Sequence, residues 1–196
     1  MRHVELYALS LWTTLALLSG CQLWPKKWVK VQHQELFELS LPGYLNPTEE
    51  LAPDAPFQYE SRGNELYLVI RYSSLDSLYE SRPSYSTEDY YDFHITNLLA
   101  PMREPEASSA DSVEINGLAG LQGDFSGYFK QDRLYFRLCL LEGESRLYQV
   151  LIWTTEAKRD EHTSEMDRIL RSFALTEDAI SNNQSDSSSL TSSMIR

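Results

Sequence analysis

The chain has 196 residues, 42% of them hydrophobic, with 12 tyrosines and a formal net charge of -12. Length and apolar content suit one domain with a single core. So acidic a surface repels phosphate backbones, because nucleic-acid affinity rests on Lys and Arg releasing condensed counterions, and nucleic acid is excluded as a partner.

The N-terminus reads as a targeting segment. Met1-Arg2-His3 is a short positive start, and Leu6 to Leu18 is mostly apolar but too short to span a bilayer comfortably. The run ends in Leu18-Ser19-Gly20-Cys21, which resembles the lipobox of bacterial lipoproteins. Small residues there let a peptidase approach the backbone, and the thiol takes the lipid. The resemblance implies removal of a signal peptide over 1–20, acylation of Cys21 and a place in the bacterial cell envelope. Several acyl chains hold a protein to a bilayer beyond the marginal regime of one chain. The bilayer is thus an expected partner, lipid on Cys21 the expected covalent group, and no other cofactor is implied. Gln22 stands where an aspartate resembles an inner-membrane retention signal, which implies the outer membrane, facing the periplasm.

Residues 21–34 read as lipidated N-terminus and tether. Trp24, Lys26, Lys27, Trp28 and Lys30 form a basic-aromatic patch suited to the headgroup level, with a plain tether equally open. The domain is expected over 35–176. Leu36 to Leu41 alternates as a first strand, stopped by Pro42-Gly43, and a Pro- and acid-bearing loop follows. Phe57–Ser61 and Glu65–Tyr72 read as a hairpin turned at Gly63-Asn64, the second arm rich in β-branched and aromatic residues. Ser86-Thr87-Glu88-Asp89 opens a helix with a capping-box pattern, and Tyr91, Ile95, Leu98 and Met102 share one face of it before Pro101 ends it near Leu99.

Asp111–Asn116 and Leu118–Phe125 follow as strands, with Gly117, Gly120, Gly123 and Gly127 read as turns or bulges. Leu134–Leu141 and Ser145–Thr154 are long strands joined at Glu142-Gly143-Glu144. A last helix runs from Arg159 to Ser172, with acids at its start and Arg168 and Arg171 at its end, matching the dipole. Residues 177–196, Ser- and Asn-rich from Ser181, bury too little to offset ordering entropy and read as a disordered tail.

Antiparallel hairpins with segregated helices make the fold class α+β. Tyr148-Gln149-Val150-Leu151-Ile152-Trp153-Thr154-Thr155-Glu156 and the helix ending Ile169-Leu170-Arg171-Ser172-Phe173 resemble the end of PsbP-like domains. Phe37-Glu38-Leu39-Ser40-Leu41-Pro42 resembles their opening strand, and Asn116-Gly117-Leu118 the turn before their central hairpins. The likeness covers about 36–175 and implies an α/β/α sandwich with a mainly antiparallel central sheet. It carries over no functional residues, because such domains share no catalytic set.

Chemistry is sparse. The histidines are His3, His33, His94 and His162, and no HExxH, CxxC or His-x-His spacing points to a metal. No GxSxG, GxGxxG or P-loop occurs. Cys139 lies in an apolar run and reads as a buried core residue, unpaired once Cys21 is acylated. The distinctive local feature is aromatic. Tyr79, Arg82, Tyr85 and Tyr90 crowd the loop and helix start after the third strand, and rigid amphipathic rings with Arg make binding surfaces. Packing of Tyr90 or Tyr91 into the core is the alternative. Together these features point to a non-catalytic binding or assembly domain for another envelope component, possession of a dispersed enzymatic or small-ligand site being the other reading.

Overall fold

The structure, a computed structural model, describes residues 27–81, 86–177 and 179–180. The expected signal segment, Cys21 and the tail from Ser181 lie outside the described residues. Strand β1 (Trp28–His33) pairs antiparallel with β2 (Phe37–Pro42), from Trp28 opposite Pro42 to His33 opposite Phe37. This corrects the tether reading over 28–34 and the domain start at 35, while residues 21–26 lie outside the described residues. Lys30 and Gln32 disguise a strand whose half-buried Trp28 and Val31 pack onto the core.

Strand β3 (Asn46–Pro47) pairs with β4 (Phe57–Ser61), which forms the expected hairpin with β5 (Leu66–Ser74). Helix α1 (Leu75–Ser81) was not anticipated; Leu75 and Leu78 pack it against the sheet. Helix α2 (Thr87–Leu99) starts at Ser86, whose side chain accepts from the Asp89 N–H while Asp89 accepts from the Ser86 N–H. This is the reciprocal capping expected from the sequence.

Strands β6 (Arg103–Ala107), β7 (Asp111–Ile115), β8 (Leu118–Phe129), β9 (Asp132–Glu142) and β10 (Arg146–Thr155) follow. A short 3-10 turn leads into α3 (Arg159–Arg171), and β11 (Ala174–Leu175) closes the fold. The large sheet has the order β3-β4-β5-β10-β9-β8-β6, with β7 also on β8, and its pairs are antiparallel. A small sheet has the order β1-β2-β11.

One face of the large sheet carries α3 and the small sheet over a core that includes Phe37, Leu68, Ile152, Ile169 and Phe173. The other face carries α2 over Tyr91, Phe125, Phe136, Leu138 and Leu151. The expected α/β/α layering therefore holds. β9 sits between both layers, so Tyr135 to Leu141 is buried without alternation.

The glycines of β8 need a correction. Only Gly117 occupies a turn: with Asn116 it takes positive φ at both central positions, the geometry that joins twisted strands tightly. Gly120, Gly123 and Gly127 lie inside β8. A Cβ on Gly123 would stand 2.1 Å from the Tyr91 hydroxyl, so this glycine is what lets α2 lie close on the sheet. The C-terminal boundary moves as well. Ala179 is buried and its N–H reaches Thr176 Oγ1 at 3.3 Å, so the domain continues to Ile180 rather than stopping at 176.

Candidate functional site

Three arrangements concentrate chemistry. The first is on the α3 face of β8 and β9. Arg137, only 6% exposed, donates from Nε to Asp124 Oδ1 at 2.7 Å and from Nη2 to Asp124 Oδ2 at 2.8 Å. Its Nη1 donates to Asp167 on α3, and the Tyr135 hydroxyl donates to Asp124. The Arg159 guanidinium lies 4.3 Å from the centroid of the Tyr135 ring.

Burial pushes the Asp124 carboxyl up, but the hydrogen bonds from Arg137 and Tyr135, with the Arg137 charge, outweigh it and hold the group below the usual carboxylate range. Burial, then the bond to Asp124, pushes the Tyr135 hydroxyl up to about 12. A cleft of about 230 Å³ opens beside the cluster, reached by Ser108, Ser126 and Glu106. Its hydroxyls are engaged: Ser108 Oγ accepts the Asp124 N–H at 3.0 Å, and Ser126 Oγ accepts from Arg133 at 3.1 Å. The groups face one another more than the opening.

The second is a buried chain between α3 and the turn after β4. His162, with no exposed surface, has Nδ1 2.7 Å from Glu165 Oε2 and Nε2 2.7 Å from the Asn64 carbonyl. The Tyr44 hydroxyl donates to the same Glu165 oxygen at 2.6 Å. The chain ties three segments together in the interior.

The third is open and apolar. Across the α2 face, Tyr67, Trp153, Phe136 and Phe125 stand opposite one another on β5, β10, β9 and β8. Their rings follow at centroid distances of 5.3, 6.0 and 4.8 Å, an aromatic row produced by register. α2 covers one end of this row, and the loop holding Leu51, Ala52 and Ala55 covers the other. Between them lies a groove of about 360 Å³, floored by Val69, Leu151, Trp153, Phe136 and Leu134 and walled by Leu98 and Met102. Arg71 and Asn97 are the polar side chains lining it. Arg71 Nη2 is 3.1 Å from Asp54 Oδ1, and Asp54 is itself largely exposed.

Of the tyrosine surface expected from the sequence, Tyr79 and Tyr90 fall among the described residues. Tyr79 is exposed on α1, at 43%. Tyr90 is half-buried and packs against the α2-face core, while Arg82 and Tyr85 lie outside the described residues. So do Leu18, Ser19, Gly20 and Cys21. Cys139 is fully buried, and burial pushes its thiol up to about 12. Sequence reading missed the groove. Its signal was an aromatic or large apolar residue at matching positions of successive strands, visible only once the register is known.

The sequence matches no family model and no curated protein. Solved structures do match the fold. The cyanobacterial PsbP protein CyanoP from Synechocystis is similar at 13% identity and TM-score 0.57, covering 76% of this chain and 93% of that one. LpqN of Mycobacterium tuberculosis, described as involved in cell envelope biogenesis, is similar at 12% identity and TM-score 0.54, covering 76% and 91%. The Ran-binding protein Mog1p of Saccharomyces cerevisiae is similar at 11% identity and TM-score 0.51, covering 76% and 96%. At such identities the likeness speaks for architecture. The fold is α+β and PsbP-like.

Proposed function

We propose that this chain is a lipid-anchored protein of the bacterial envelope, held through Cys21, whose PsbP-like domain is a non-catalytic binding module for another envelope component. The groove beneath α2 carries the reading. Its lining is mainly apolar, and it offers Trp153, Phe136 and Met102 to whatever enters. Large aromatic and Met side chains in a recess are the kind that anchor partners. The polar clusters support the same reading from the other side, because the groups that could do acid-base work are spent on Arg137, Asp124, His162 and Glu165 themselves. That LpqN is described by envelope biogenesis and Mog1p by Ran binding agrees with a binding role for this fold.

A photo-crosslinker placed at Leu98, in the groove wall, tests the proposal in intact membranes, with the exposed Glu114 on β7 as control. Adducts are expected from position 98, absent from 114, and lost when Cys21→Ser frees the protein from the membrane. Equal adducts from both positions, or none from either, overturn it.

A further inference from the structure

We propose that the groove beneath α2 holds the hydrocarbon chain of a single-chain anionic amphiphile, its head group beside Arg71; this rests on the groove being the receiving surface. Shape is the first argument. The lining runs from Val69 on β5 through Leu151 on β10 and Phe136 on β9 to Phe129 on β8, three inter-strand spacings of about 4.8 Å, so it extends roughly 14 Å across the sheet. A recess of that length fits an extended chain. A single partner side chain fills only part of it. The volume of about 360 Å³ falls within the usual range of small-molecule sites.

Chemistry is the second argument. The floor and wall are apolar or aromatic, and Met102 is adaptable enough to follow a flexible chain. Among the described residues, Arg71 is the one charged side chain lining the groove, and it sits on β5 at the end away from Phe129. Its partner Asp54 is 76% exposed, and an exposed pair of this kind is weakly held. A carboxylate or phosphate whose tail is buried in the groove can therefore take the place of Asp54 and meet the guanidinium in a planar, two-pronged contact. A cationic amphiphile would place its charge against that guanidinium.

The test uses the full protein in its own membrane vesicles, with dodecanoate carrying a diazirine in mid-chain and the matching uncharged alcohol as probes. After irradiation, adducts are mapped by peptide mass spectrometry. Dodecanoate is expected to label the segments around Leu98–Met102 and Leu134–Phe136 in preference to the alcohol. Leu98→Trp fills the groove and should cut labelling about tenfold, the equilibrium weight of 1.4 kcal/mol. Arg71→Gln should lower dodecanoate labelling to the level of the alcohol without changing the latter. Labelling scattered over the surface, indifference to Leu98→Trp, or equal labelling by both probes in the unaltered protein overturns the assignment. If dodecanoate fails while crosslinks from position 98 to a membrane protein persist, this ligand class falls and the receiving groove stands. If both fail, the groove reading falls with it.

Discussion

Arg137 and Cys139 lie two residues apart and project from the same face of β9. One is charged and the other stays neutral, and their partners explain why. Arg137 is buried but faces Asp124 and Asp167, whereas burial of Cys139 outweighs the lowering pull of the Arg137 charge and keeps its thiol protonated. Cys139 is therefore expected to resist maleimide in the native protein and to react once urea unfolds it; modification at the native rate of a free thiol would contradict its placement. Asp124 should govern acid stability. Its carboxyl titrates lower folded than unfolded, where a carboxyl sits near 4. Its contribution is thus complete above about pH 4 and is lost as pH falls through the folded value. Urea midpoints of the unaltered protein should drop more steeply on acidification than those of Asp124→Asn, and parallel curves would remove Asp124 from that role. Asp124→Ala strands a buried guanidinium with half its hydrogen bonds and should cost about 3–5 kcal/mol at neutral pH.

At the scale of elements, close approach is written into β8. Gly123→Ala forces a methyl group against the Tyr91 hydroxyl and should destabilise by about 1–3 kcal/mol through a lifted α2. Adding Tyr91→Phe removes the clashing oxygen and should recover part of the loss, so denaturant melts of the double variant separate this clash from a general intolerance at Gly123. β1 provides a second case. The Arg168 guanidinium lies 4.0 Å from the Trp28 ring centroid, so Trp28→Ala should cost about 0.5–2 kcal/mol, where a tether residue would cost nothing. Elements with a strong period were legible in the sequence: the β4–β5 and β9–β10 hairpins, the capped α2 and the charge-matched α3. β1 and β6 were not. β6, Arg103–Ala107, is exposed along its whole length, and its pairing with β8 lies in backbone hydrogen bonds that leave no hydrophobic alternation. The groove was illegible for another reason, since its lining is contributed by four strands, three of them with an aromatic ring, and exists only through their mutual register.

For the whole molecule, the two faces of the large sheet divide the work. The α3 face pairs Arg137 with Asp124 and Asp167, packs the small sheet over its core and opens only a polar cleft beside that cluster, while the α2 face leaves an apolar recess between helix and loop. Such a body has little electrostatic reason to approach an anionic membrane. With a formal charge of -12 it is repelled by acidic headgroups, and beyond about 8 Å at physiological ionic strength that repulsion is largely screened. If the protein resides on a membrane, attachment must come from hydrocarbon rather than from charge. The two sources of attachment respond oppositely to salt: ion pairing weakens as salt rises, and acyl-chain insertion does not. Membranes carrying the unaltered protein are therefore expected to retain it through a high-salt wash, while Cys21→Ser should appear in the soluble extracytoplasmic fraction at every salt concentration. Release of the unaltered protein by salt alone would point to a charged docking partner and against the lipid on Cys21. Retention of Cys21→Ser would place the attachment elsewhere, and the groove, as the open apolar surface of the folded domain, would be the first place to look by repeating the wash with Leu98→Trp added.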